Sequence, residues 1–160
     1  MNRVDLWNFA VSCYGKPGVE SACLELQAAG ADVCLFLTGA WLECRGVSCS
    51  AERLGLLKAQ SKDWQTQVVQ PLRNLRSAWR EAATHDSELA GLRDRVKMLE
   101  LDAERIQLNR LASVAQQWPG NQEAVNWLDQ LVTELPSKPD TPLSTLRHAA
   151  FSQLHVGKDD

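Results

Sequence analysis

The chain has 160 residues, of which 44% are hydrophobic and 23% charged, and a chain of this size and composition buries a globular core. Its formal net charge of -3 argues against a general polyanion-binding surface, although it is compatible with a local basic stripe. The longest apolar run, Val33 to Leu42, is too short to span a bilayer and is interrupted by Thr38 and Gly39, so we expect no membrane insertion.

The cysteine pattern indicates a reducing compartment. Five cysteines occur, an odd number, and none forms a Cys-x-x-Cys pair. Cys13, Cys23 and Cys34 lie among apolar residues at helical spacing, so we expect mostly buried, reduced thiols rather than a disulfide framework. The N-terminal residues are not followed by an apolar run of signal-peptide length. Together these features predict a cytoplasmic protein.

Two short helices are predicted at the start of the chain. The first covers about Val4–Tyr14, because its apolar residues fall three and four apart and Gly15 ends the pattern. Pro17 suits the first position of the second helix, where its missing N–H costs nothing, and that helix covers about Val19–Ala29.

A third helix follows directly and is predicted to be the most buried. Gly30 is well placed to cap the second helix, and Asp32 lies near the start of the third, where a carboxylate meets the positive helix end. This helix runs to about Glu43. Because it is apolar nearly all round, we expect it at the centre of the fold.

The next segment is predicted to begin with a capped helix. Ser48 or Ser50 can cap a short fourth helix that ends near Ala59. Ser61 and Asp63 then open a fifth helix, or the fourth continues after a bend.

A long antiparallel hairpin is predicted from the fifth and sixth helices. Pro71 lies inside the fifth helix and should kink it near Gln67, and the sixth helix runs from about Asp86 to Gln117. Apolar residues recur three and four apart along both helices. The two stripes are Trp64, Val68, Leu72, Leu75 and Trp79 on the fifth helix and Leu89, Leu92, Val96, Leu99, Ala103 and Ile106 on the sixth.

The last part of the chain changes character at Pro136. Asn121 caps a seventh helix over about Gln122–Leu135, and three prolines spaced three apart among polar residues then predict an extended linker. A short amphipathic segment follows. We therefore expect a helical domain over residues 1–135 and a linker with a short C-terminal helix over residues 136–160.

Two interpretations of the C-terminal segment are open: it docks on its own domain as a last helix, or it enters a groove on a partner. Trp118 lies near a helix end and would anchor a partner if it were exposed. The candidate partner-binding residues are Leu143, Leu146, Phe151, Leu154 and Trp118.

The N-terminal region resembles a known family. The residues that carry the resemblance are Leu6-Trp7-x-Phe9, Tyr14, Pro17-Gly18-Val19, Ala22-Cys23-Leu24-x-Leu26-Gln27, Gly30-Ala31-Asp32-Val33 and Trp41-Leu42, with weaker similarity over residues 68–76 and 96–104. This series is similar to the opening of a family of small, uncharacterised bacterial proteins. The resemblance implies a bacterial cytoplasmic origin and no particular activity.

Acidic residues on the sixth helix have two interpretations. Glu100 and Glu104 share one face, and paired carboxylates can act as acid and base or bind magnesium. Lys97 and Arg105 are interleaved with them, and Asp102 with Arg105 makes an i,i+3 pair. A solvated, ion-paired face is therefore the favoured interpretation.

Arginines on the fifth helix form the best ligand candidate. Arg73, Arg76 and Arg80 are three and four apart, so they line one side of the helix and could hold phosphate oxygens or a nucleic-acid backbone. The alternative is a solubilising face, which we favour because Glu81 and Asp86 lie nearby.

Catalytic and metal-binding signatures are weak. Cys44 or Cys49 could pair with a histidine, but no local signature supports such a pair. A zinc site formed by Cys44, Cys49 and His85 needs a fourth ligand and has a poor spacing. We therefore name no catalytic residue, metal ligand or cofactor.

The sequence predicts an all-α fold, a bundle of about six or seven helices with a long antiparallel hairpin and a Pro-containing linker to a short C-terminal helix. The favoured function is a non-enzymatic cytoplasmic binding or adaptor protein with a protein partner. A binder of phosphate ligands or nucleic acid that uses the arginine side of the fifth helix is the alternative, and a helical enzyme ranks third. A homodimer is compatible with the long sixth helix.

Overall fold

Helices make up the fold. The computed structural model describes residues 5–120 and 126–152 of the chain, and within those ranges it contains nine α-helices and one π-helical turn. The predicted all-α class is therefore confirmed. The helices are α1 Leu6–Tyr14, α2 Val19–Ala28, α3 Val33–Cys44, α4 Ala51–Trp64, α5 Gln70–Ala78, α6 Arg80–Ala83, α7 Ser87–Ala115, α8 Trp127–Val132 and α9 Asp140–Ser152, with the π-helical turn at Gln65–Val69.

Local signals place most helix ends. The Asp32 carboxylate accepts a hydrogen bond from the backbone N–H of Leu35 at 3.2 Å, which begins α3 as predicted. Ser50, rather than Ser48, caps α4. Gly30 follows α2 in the left-handed conformation (φ 93°), as predicted for the residue after a helix. The prediction for Pro17 was wrong, because Gly18 is the N-cap of α2 and Pro17 precedes it.

The third helix is the centre of the core, as its composition predicted. All but one of its residues are buried, and α1, α2, α4, α7, α8 and α9 all pack against it. The close approach of α8 depends on Gly39, where a Cβ atom would lie 2.8 Å from Cδ1 of Leu131. On α8, the Trp127 indole is fully buried and its N–H donates to the Val47 carbonyl at 2.7 Å.

The fourth and fifth helices join through the π-helical turn. Of the two alternatives left open after Ala59, the structure shows the second, because the fourth helix continues to Trp64 and passes into the π-helical turn. Gln67, near which a kink is predicted, lies within this π-helical turn. Such a turn is a known way for a helix to accommodate disruption of its hydrogen bonds, and Pro71 follows immediately at the second residue of α5.

The hairpin consists of α5 and α6 packed against α7. Three residues, Thr84–Asp86, join α6 to α7, and the Asp86 carboxylate caps α7 through the N–H groups of Glu88 and Leu89. The helix α7, which corresponds to the predicted sixth helix, has 29 residues and ends at Ala115, close to the end predicted near Gln117. Its C-terminal half also packs against α1, α3 and α4 and thereby anchors the hairpin to the core.

The C-terminal helix is docked on its own chain. The ninth helix packs against α2 and α3, with Leu146 fully buried and Leu143 only 6% exposed. Nη2 of Arg147 lies 3.1 Å from Oε1 of Glu43, a residue of α3 that is also buried. Of the two interpretations left open for this segment, the structure shows the docked one. Leu154 lies outside the described residues, as do Asn121 and residues 122–125 of the predicted seventh helix.

No helix in the described parts of the chain combines the length and hydropathy that a membrane span requires.

Replacing Leu146 with alanine tests the docking of α9. Because Leu146 is fully buried, we expect the free energy of unfolding to fall by about 2–5 kcal/mol, measured by urea denaturation. The matched control is Phe151→Ala on the same helix, where the side chain is 39% exposed and the loss should be clearly smaller. Equal losses for the two variants would show that α9 is not docked as described.

Candidate interaction surface

The inner side of the hairpin is charged. Glu100 of α7 is 6% exposed and accepts hydrogen bonds from the guanidinium groups of Arg73 and Arg76 on α5. Arg73 also donates to Glu104 at 3.3 Å, one turn further along α7. We call these four residues the hairpin ion cluster. It occupies the position where two packed helices normally bury apolar side chains.

The interpretation of the acidic residues as a solvated face was therefore wrong for Glu100, although the expected ion pairing is present. Its partners are the arginines of α5, which are 24 and 27 residues away, rather than neighbours on its own helix. No salt bridge joins Asp102 to Arg105 in the described parts of the chain.

In the ion cluster, the pKa values of the two carboxyl groups shift in opposite directions. Burial raises the pKa of Glu100, but the hydrogen bonds and charges of Arg76 and Arg73 outweigh it and hold the pKa below its usual value. Burial, followed by the charge of Glu100, raises the pKa of Glu104 despite its contact with Arg73. Glu100 is thus the carboxylate that the cluster keeps ionised.

The apolar stripe of α7 does not face α5. Leu92, Leu99 and Ile106 are 49%, 55% and 41% exposed, whereas Val96 and Ala103 are buried. The expectation that these five residues and Leu89 form one inward stripe was wrong, because the residues that face α5 and the core include Glu100 and Gln107. Three of the predicted core residues therefore lie on the outside of the hairpin, seven residues apart.

The apolar stripe of α5 is also open to solvent. Leu75 is 39% exposed, and Val68, Leu72 and Trp79 are half-buried. No residue of α5 is fully buried.

Contacts of Trp64 place the two stripes on the same side of the hairpin. The Trp64 indole N–H donates to the Ala103 carbonyl at 2.8 Å, and the Arg110 guanidinium lies 4.2 Å from the centre of the Trp64 ring. Arg110 is one turn beyond Ile106, so the start of the α5 stripe meets the end of the α7 stripe. We call the combined surface the hairpin apolar face. It consists of Trp64, Val68, Leu72, Leu75, Trp79, Leu92, Leu99 and Ile106.

A second polar group lies next to the π-helical turn. The amide nitrogen of buried Gln107 donates to the Asp32 carboxylate at 3.0 Å and to the Ser61 hydroxyl at 2.6 Å, and Ser61 donates to Asp32. Burial raises the pKa of Asp32 despite these bonds. The carbonyl oxygen of Gln107 is buried without a hydrogen-bond partner among the described residues. This group ties α3, α4 and α7 together beside a shallow pocket of about 360 Å³.

The other predicted site residues lie apart from one another. Arg80 is exposed at the start of α6, away from the ion cluster that contains Arg73 and Arg76. Trp118 is half-buried and stacks on Trp127, with 5.9 Å between ring centres, while Arg53 covers its ring. Leu143 and Leu146 belong to the core, whereas Phe151 is partly exposed.

The thiols do not form a reactive site. The five cysteines are free, and burial raises the pKa of Cys44 to about 12 and also raises that of Cys49. A thiol with a raised pKa carries little thiolate at neutral pH and is a poor nucleophile. Among the described residues, no three His, Cys, Asp or Glu side chains are grouped so that they could hold a metal ion.

Comparison with known proteins identifies a family and little else. A family model described as a protein of unknown function (DUF2390) matches residues 5–111, which is more than half of the chain. No curated protein matches the chain, and no solved structure matches it.

Replacing Glu100 with glutamine tests the ion cluster. Removal of the shared carboxylate leaves the partly buried guanidinium group of Arg76 without its partner and that of Arg73 with Glu104 alone, so we expect a loss of about 3 kcal/mol in the free energy of unfolding at neutral pH. The control is Asp94→Asn, an exposed change on the same helix that should alter stability by less than about 0.5 kcal/mol.

The pH dependence of this difference has a definite sign. The folded-state pKa of Glu100 lies below its usual value of 4.5, so its stabilising effect is complete above that value and disappears as the pH falls through the folded pKa. The stability gap between the wild type and Glu100→Gln should therefore narrow below about pH 4.5, as measured by urea denaturation. A gap that widens on acidification would contradict the described geometry.

Proposed function

The chain belongs to the DUF2390 family of proteins of unknown function, and we propose that it is a non-enzymatic binding protein that associates with another polypeptide through the hairpin apolar face. The observation that carries this proposal is the exposure of Leu75, Leu92, Leu99 and Ile106 on one side of two packed helices. A contiguous exposed apolar patch on a folded domain marks an interaction site more often than scattered apolar residues do.

The composition of the face suits protein recognition. It combines four leucines, an isoleucine and a valine with two partly exposed tryptophans, Trp64 and Trp79. Large aromatic side chains contribute most of the binding energy in many interfaces. Most of the face lies on α5 and α7, which the ion cluster holds together, so it is presented on a rigid support rather than on a loop.

An anion-binding role for the arginines is less well supported. Arg73 and Arg76 each donate to Glu100, so a phosphate group would have to displace a buried carboxylate in order to reach them. Arg80 alone is exposed. The distribution of contacts therefore favours the apolar face over the arginine side of α5.

A triple substitution on α7 tests the proposed function. We expect Leu92→Gln, Leu99→Gln and Ile106→Gln together to abolish recovery of the partner in a tagged pull-down of the full chain from its native cytoplasm, with and without nuclease. The fold of the single chain should be retained, because all three side chains are exposed in it.

The chain offers a matched control on the same helix. Met98 and Leu101 are 58% and 45% exposed but lie away from the face, so Met98→Gln with Leu101→Gln should retain the partner. Loss of the partner in both variants, or in neither, would refute the assignment of the face. Recovery that depends only on nuclease-sensitive material would instead support nucleic-acid binding.

A further inference from the structure

We propose that the polypeptide bound at the hairpin apolar face is a second copy of this chain, packed so that the two α7 helices run antiparallel about a two-fold axis near Leu99. This inference rests on the proposed function, because it requires the face to be a protein-binding surface. Two hairpins joined in this way would form a four-helix arrangement, with the apolar faces between them.

The charges beside the α7 stripe carry the argument. Leu92, Leu99 and Ile106 repeat at seven residues, the spacing of a helix that packs along another helix. Arg95 lies between the first two of these residues and Asp102 between the last two. Both charged side chains are exposed, and no salt bridge joins either of them to another residue in the described parts of the chain.

A two-fold axis near Leu99 makes this pattern self-complementary. Antiparallel pairing places Arg95 of each copy against Asp102 of the other, and Leu92 against Ile106. Further out, Glu88 of each copy approaches Arg110 of the other. Parallel pairing would instead place each charge against its own kind, which is unfavourable.

The position of the α5 stripe is compatible with the same two-fold axis. The contact of Arg76 with Glu100 places the neighbouring residues Leu75 and Leu99 at the same height in the hairpin. Leu75 is the most exposed residue of the α5 stripe, and Leu99 is the middle one of the three exposed residues on α7. A two-fold axis through that height brings each leucine onto its own copy, and it brings the uncharged stripes of the two α5 helices together.

The internal charges explain why the hairpin needs a second copy. Its inner side holds the hairpin ion cluster, and buried ion pairs contribute little net stability compared with packed apolar side chains. Val96 and Ala103 are buried, but Leu75, Leu92, Leu99 and Ile106 lie on the outer side. Association of two hairpins would bury that outer face and add hydrophobic stabilisation to the little that the inner side provides.

Charge reversal in the full chain tests the proposal. By sedimentation velocity we expect the wild type to be a dimer. Arg95→Glu or Asp102→Arg alone should raise the dimer dissociation constant by about tenfold, because each converts two attractive contacts into two repulsive ones. Asp94→Arg is the control for Asp102→Arg: it makes the same charge change at an exposed position off the face and should leave the constant unchanged.

Mixing the two weakened variants provides the decisive step. In an antiparallel pair of one Arg95→Glu chain and one Asp102→Arg chain, both contacts again join opposite charges, so the mixture should recover wild-type affinity. Weakened single variants that do not recover on mixing would overturn the antiparallel arrangement. Single variants as tight as the wild type would overturn the use of this face.

The pull-down with the triple glutamine variant separates failure of this inference from failure of the proposed function. If the chain is monomeric at all concentrations, but the triple variant Leu92→Gln, Leu99→Gln and Ile106→Gln no longer recovers a different protein, the second copy is overturned and the binding face is retained. A monomeric chain whose recovered proteins are unaffected by those substitutions overturns both.

Discussion

The buried ion cluster of Arg73, Arg76, Glu100 and Glu104 is the constraint on which the geometry of the hairpin depends. Glu100 accepts from both guanidinium groups and fixes the height and rotation of α5 against α7. With charges on the inner side, the apolar residues of both helices can lie only beside them or outside. The exposed face is thus a direct consequence of which residues meet between the helices, and it follows from a contact that stabilises orientation more than it stabilises folding.

The rest of the fold holds this hairpin in place. The central helix α3 gathers the other helices into one apolar core, and the C-terminal half of α7 enters that core through Leu108, Leu111 and Ala115. The group of Asp32, Ser61 and Gln107 then joins α3, α4 and α7 just below the π-helical turn. The core end of the hairpin is therefore rigid, and its outer part presents the apolar face.

Local sequence patterns were sufficient to predict much of the fold. Asp32, Ser50 and Gly30 mark helix ends through interactions with residues no more than a few positions away, and the composition of α3 alone indicated its burial. Contacts between residues far apart in the sequence could not be predicted from local patterns. Gln107 meets Asp32 across 75 residues, and Arg147 of the docked α9 meets Glu43 across 104.

The rotation of α7 about its axis is the feature that the sequence pattern predicted least well. Spacings of three and four residues fit the set that contains Leu92, Leu99 and Ile106, and periodicity alone assigns such a set to the interior. The inward set has the same spacing but contains Glu100 and Gln107, and only the arginines of α5 make burial of Glu100 acceptable. The candidate site was missed because it was taken for core. An apolar stripe that competes with a charged one on the same helix is the signal that could have revealed it.

One distance measurement tests the central claim, that the outward apolar face is closed by a second antiparallel copy. A spin label would be attached to the full chain through Ser113→Cys, an exposed position, and the distance between labels on two chains would be measured by pulsed electron paramagnetic resonance. The chain without this substitution is the control for labels on its own five cysteines. The account predicts an intermolecular distance of about 40 Å, because a two-fold axis near Leu99 separates the two labels by about 28 helical residues at 1.5 Å each. A distance below about 20 Å, or no coupling between chains, would contradict it.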